Sequence, residues 1–89
     1  MGHARPRPTH LASKLLQIRQ SLGISQAEML KRLGLGRPYH YTFISKYELD
    51  KNEPPLMVLL AYSKVSGISV ETLIDDNVEV DALAFWLQA

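Results

Sequence analysis

The 89-residue sequence contains no cysteine, which excludes disulfides and thiolate metal sites and leaves stabilisation to a hydrophobic core. It has only two phenylalanines and one tryptophan, so that core must come mainly from Leu, Ile, Val and Met, a composition suited to packed helices. No apolar run approaches the roughly 18 residues of a membrane span. The opening MGHARPRPTH lacks the apolar stretch of a secretion signal, and Pro6 stands where a myristoylation motif needs Ser or Thr. A cytoplasmic chain without membrane attachment is expected. Catalytic constellations are also lacking: His3, His10 and His40 have no metal-ligand spacing, no Gly-rich phosphate loop follows a strand, and the serines read as helix caps. Asp75-Asp76 reads as a solvated helix end rather than a cation site. The chain is therefore expected not to be an enzyme and to need no metal or cofactor.

What is present is a polarised charge. The net charge is +1, yet residues 1 to 47 carry Arg5, Arg7, Lys14, Arg19, Lys31, Arg32, Arg37 and Lys46 against Glu28 alone, a balance of +7. Residues 48 to 89 balance at −6. A chain divided in this way can turn a basic face to a polyanion while its acidic half faces elsewhere.

Residues 1 to 8 read as a flexible basic arm, because Pro6 and Pro8 block regular structure. Arg5 and Arg7 either reach into a minor groove or stay solvated. Thr9 is placed to cap a first helix whose apolar positions Leu11, Leu15, Ile18 and Leu22 recur at helical spacing, with Gly23 ending it. Ser25-Gln26-Ala27-Glu28 matches a capping box, in which Ser25 accepts a first-turn amide and Glu28 reaches back to the Ser25 amide. The second helix should run from Gln26 to about Leu33, with Met29, Leu30 and Leu33 inward and Gly34 in the left-handed turn. A third should begin between Pro38 and Thr42 and run to about Leu49. On its wheel Tyr41, Thr42, Ser45 and Lys46 share one side, and Phe43, Ile44, Tyr47 and Glu48 the other.

After the polar turn Asp50-Lys51-Asn52-Glu53, a fourth helix should span Leu56 to Ser66, with Leu56, Leu59, Leu60 and Val65 buried and Gly67 as its stop. Ser69 should cap a fifth, from Val70 to about Ile74. In the tail, Val78 and Val80 alternate with acids like a short strand, whereas Asp81 could cap a last helix carrying Leu83, Phe85, Trp86 and Leu87. The organisation expected is thus an arm (1 to 8), one domain (9 to 76) and an extension (77 to 89).

Leu15, Ile18, Arg19, the stretch Leu22 to Glu28, Leu33-Gly34, Ile44 to Glu48, Lys51, Pro54 and the stretch Val65 to Glu71 together resemble the XRE-type, phage-repressor and Cro-like helix-turn-helix family over about residues 11 to 74. The resemblance implies an all-α fold, a compact five-helix repressor-like DNA-binding domain with a short C-terminal extension. It implies a third helix in the major groove, with Tyr41, Thr42, Ser45 and Lys46 at base edges. Lys46 could donate to guanine, and Thr42 offers a hydroxyl and a methyl. Gln26, Lys51 and Asn52 take backbone-contacting positions, and Arg19 and Glu48 take those of a structural ion pair.

Two departures stand out. Nine residues separate Gly34 from Ile44, several more than the family's turn has. The extra Leu35 to His40 either extends the reading helix backward or forms a loop that adds Arg37, Tyr39 and His40 to the DNA face. Leu30 replaces the small residue that lets the second and third helices pack closely. Together they imply a more open helix pair. Among the aromatics, Phe43 and Tyr47 are expected in the core, with Tyr39 and Tyr41 divided between core and surface.

The resulting expectation is a sequence-specific transcriptional regulator that binds double-stranded DNA as a homodimer. The tail residues Leu83, Phe85, Trp86 and Leu87 are either the dimer interface or a cover for the domain's own core. The alternative is a protein-interaction module of the same fold with weak or no DNA binding, such as an antitoxin with a toxin partner.

Overall fold

The computed structural model describes residues 6–80. Those residues form five helices and no strand: α1 (Leu11–Leu22), α2 (Gln26–Arg32), α3 (Tyr41–Glu48), α4 (Leu56–Ser66) and α5 (Val70–Ile74). The interpretations placed on Leu83, Phe85, Trp86 and Leu87 lie outside the described residues.

Local chemistry sets most boundaries. Gly23 adopts φ 67° and donates its amide back into the last turn of α1, a left-handed stop that a Cβ would penalise. The Ser25 hydroxyl accepts the Glu28 amide at 3.0 Å, and the Ser69 hydroxyl accepts the Thr72 amide at 3.1 Å; each such cap contributes about 1 kcal/mol. The second half of the capping box does not form, since the Glu28 carboxylate turns instead to Arg32, one helical turn on, at 3.2 Å.

The first helix start is also corrected. Its N-cap residue is His10, without a side-chain cap bond. The free amides of Thr9 and His10 instead donate to the two carboxylate oxygens of Asp76, at 2.8 and 3.0 Å. Asp76 is thus no merely solvated helix end, and these two bonds hold its carboxyl below the usual carboxylate range.

The core joins Leu11, Leu15 and Ile18 of α1, Met29 of α2, Leu33, Ile44 and Tyr47 of α3, Val58, Leu59 and Tyr62 of α4, and Leu73 of α5. Leu22 and Leu30 are only partly buried at its margin. Despite the larger Leu30, α2 and α3 remain the most extensively packed helix pair, so the bulk is taken up at the core's edge.

The face of α4 differs from expectation. Leu56 is 72% exposed, Leu60 is only half-buried, and Val58 and Tyr62 occupy the interior in their place. Helix α4 is apolar at eight of its eleven positions, so its own periodicity chooses a face only weakly and the neighbouring helices complete the choice. Lys14 is a second surprise, buried on α1 with Nζ donating to the carbonyls of Thr72 and Asp75 at 2.7 and 2.8 Å. It closes the carbonyl end of α5.

Candidate nucleic-acid interface

The inner side of α3 is fastened to α1 by charge. Arg19 Nε donates to Glu48 Oε2 at 2.7 Å and Nη2 to Oε1 at 3.0 Å, while Nη1 donates to the Ile24 carbonyl at 3.0 Å. This two-pronged geometry satisfies a carboxylate that is otherwise nearly buried. The hydrogen bond to Glu48 raises the Arg19 pKa further from neutrality, against the opposing effect of burial. Gln26 joins the same network, its Nε2 donating to Glu48 Oε1 at 3.1 Å. Gln26 is therefore half-engaged by the fold, with one amide N–H left to reach outward.

Above this pair lies Tyr62, fully buried, with a hydroxyl that has no hydrogen-bond partner among the described residues. Burial, reinforced by the negative charge of Glu48, pushes its pKa well up. Tyr47 is shifted the same way by burial.

The outer side of α3 is uncommitted to the core. Tyr41 is 46% exposed, Thr42 and Lys46 are exposed, and Ser45 is half-buried. Lys46 Nζ lies 5.8 Å from the centre of the Phe43 ring and makes no ion pair among the described residues. Past the helix end, Asp50 takes a left-handed φ of 59° and the amides of Lys51 and Asn52 both donate to the Lys46 carbonyl, at 2.9 and 3.3 Å. The exposed side chains of Lys51 and Asn52 are thereby held beside the end of α3.

The segment Leu35 to His40 is a folded loop and does not prolong α3. Leu35 packs on the core's edge, the Tyr39 amide donates to the Gly36 carbonyl at 3.0 Å, and the Arg37–Pro38 peptide is cis. Tyr39 meets Phe43 edge-on at 5.2 Å between ring centres, which pins the loop to α3. His40 caps α3, its Nδ1 accepting the Thr42 amide at 3.5 Å, and its ring lies 4.4 Å from that of Tyr41. Tyr39 is thus half-buried scaffold, while Arg37 and His40 are exposed.

The basic half of the sequence is much less free than its composition suggested. Lys14 is buried, Arg19 is paired with Glu48, Arg32 with Glu28, and Arg7 with Asp50 at 2.8 Å. Lys31, Arg37, Lys46 and Lys51 form no ion pair among the described residues. All four lie on α2, on α3 or in the segments that follow them, while Lys64 on α4 is likewise without an ion pair among the described residues.

The family model for Helix-turn-helix matches residues 15–73. The chain belongs to the XRE-type helix-turn-helix family. No curated protein and no solved structure matches it. The family is one of DNA-binding regulators, and in this member of it the helix pair is α2 and α3, separated by a loop that the longer connection creates. One exposed group on this surface escaped the sequence reading: Leu49, the residue that closes α3, is 62% exposed. Its position on the polar side of the α3 wheel was the signal that could have found it.

Proposed function

We propose that this XRE-type protein is a sequence-specific transcriptional regulator that reads the major groove of double-stranded DNA with the outer side of α3. The observation that carries the reading is the division of α3: Ile44, Tyr47 and Glu48 are buried, while Tyr41, Thr42 and Lys46 are left exposed. Lys46 donates to a guanine edge, Thr42 and Tyr41 meet neighbouring bases, and Ser45 assists. Gln26, Arg37, His40, Lys51 and Asn52 contact the phosphate backbone and set the register. Tyr39 supports this surface through its packing on Phe43.

The working unit is a homodimer on two half-sites in the cytoplasm. A helix of eight residues reads few base pairs, and two-fold pairing extends the site by about one turn of DNA. Leu56 and Met57, 72% and 69% exposed at the start of α4, offer apolar surface for the second copy beside the loop that carries Lys51 and Asn52.

Selection of bound fragments from genomic DNA tests the reading. Affinity for the selected sequence should fall steeply as salt rises, by phosphate-counterion release. Lys46→Ala should relax base preference more than it weakens nonspecific binding, and uniform weakening across sequences would remove Lys46 from the base-reading set. Absence of salt-dependent DNA binding would favour a protein-interaction module on the same fold.

A further inference from the structure

We propose that Leu49 is a specificity-determining residue of this DNA site, seating its side chain against the C5-methyl group of a thymine. The inference rests on α3 being the reading helix. At 62% exposure Leu49 contributes little to the core. Its amide still donates to the Ser45 carbonyl at 2.9 Å, so its Cα keeps its place on the α3 wheel. Tyr41, Ser45 and Leu49 therefore form one row at four-residue intervals, with Thr42 and Lys46 beside it. Leu49 thus shares the exposed side of α3 with Tyr41, Thr42, Ser45 and Lys46, at its C-terminal end.

The ligand chemistry follows from what base pairs display. In the major groove the base edges present hydrogen-bond donors and acceptors, and the thymine methyl is the one apolar substituent among them. A leucine cannot pair with the polar groups and would leave them desolvated, at a cost. Against a methyl it buries apolar surface on both sides.

Position narrows the choice further. Leu49 lies about 12 Å along the helix axis from Tyr41, the height of roughly three to four base pairs. Lys46 stands between them in the chain, and the Lys51–Asn52 loop is anchored to the Lys46 carbonyl just beyond. The thymine methyl projects from the outer part of its base edge, toward its own strand's backbone. The thymine met by Leu49 therefore falls at one end of the half-site, across the Lys46 base from the bases met by Tyr41 and Thr42.

Deoxyuridine substitution tests this directly, because it deletes the methyl and leaves the pairing edge intact. The full chain is used to select its preferred duplex, and each thymine is then replaced in turn. One position toward the end of each half-site should weaken binding by wild type about fourfold, the effect of one buried methyl. Leu49→Ala should bind the thymine duplex more weakly and lose that sensitivity, whereas Leu49→Met should retain it. A melting temperature unchanged by Leu49→Ala confirms that the fold is intact. Methyl-insensitive binding at every thymine, or equal sensitivity in wild type and Leu49→Ala, would overturn the role of Leu49 and leave α3 as the reader. Failure of the chain to select any sequence would overturn both.

Discussion

Helices α3 and α4 follow one another in the chain, with eight and eleven residues, but only α3 carries its orientation in its own composition. Thr42, Ser45 and Lys46 would be costly to desolvate, and they fall on one side, opposite Ile44 and Tyr47. The α4 sequence LMVLLAYSKVS is apolar at eight of eleven positions, with only Ser63, Lys64 and Ser66 polar, so its own pattern orients it only weakly. The interior takes Val58, Leu59, Tyr62 and Ser66, and Leu56 and Met57 are left to solvent. Even Ser66 is accommodated, its hydroxyl donating to the Tyr62 carbonyl at 2.8 Å and accepting the Ile68 amide at 3.1 Å. A helix with polar marks is oriented locally. One with few, such as α4 with Ser63, Lys64 and Ser66, is oriented largely by its neighbours and leaves apolar groups exposed.

The strongest way to break this contrast is at the anchor of α3. Glu48→Ala leaves the Arg19 guanidinium without its carboxylate and should cost about 3 kcal/mol, the lower end for breaking a buried pair because Arg19 keeps some solvent and the Ile24 carbonyl. The check is a urea midpoint with an unchanged slope; a loss below about 1 kcal/mol would mean that apolar packing alone orients α3. The inner side of α4 is sharpened by Tyr62→Phe. Removing a buried hydroxyl that has no partner among the described residues should raise stability by about 1 kcal/mol, read from the same titration. A decrease would reveal a partner for that hydroxyl.

The outer side of α4 should barely respond. Leu56→Ser or Met57→Ser, measured at concentrations where the chain is monomeric, should change stability by no more than about 0.5 kcal/mol. A larger loss would show that α4 buries that side after all. At higher concentration the same variants should sediment as monomers if this surface makes the proposed homodimer, and variants that pair like the wild type would remove it from the interface.

The smallest expected effect concerns acid. The Asp76 carboxyl is depressed below its ordinary 3.8 by the amides of Thr9 and His10. Its contribution is thus fully present above about pH 4 and is lost as the pH falls through its lower folded value. Asp76→Asn should remove that part of the acid dependence of the thermal midpoint, with little change near neutrality. An unaltered acid limb would mean that the α1 cap does not depend on the charge of Asp76.

Helix number, most helix ends and the division of α3 were readable because they depend on neighbours within one or two turns: Gly23 and Gly67 in left-handed turns, Ser25 and Ser69 as caps, alternation of polar and apolar groups. Contacts between residues far apart in sequence were not readable. Lys14 counted as one more surface cation until α5 was folded against it, and Thr9 stood as the cap of α1 until Asp76, 67 residues away, supplied the acceptor. The long connection before α3 was visible as extra length, but its course was not. Leu35 and Tyr39 are drawn in by surfaces that α3 and the core provide only once assembled.

By itself the sequence determined an all-α chain whose third helix has one side for the core and one for something else, because capping and amphipathicity are local. Tertiary structure decided which of the cations stay free and which side of α4 is left bare. Those outcomes depend on competition among distant groups for a limited interior, which no single stretch of chain can settle.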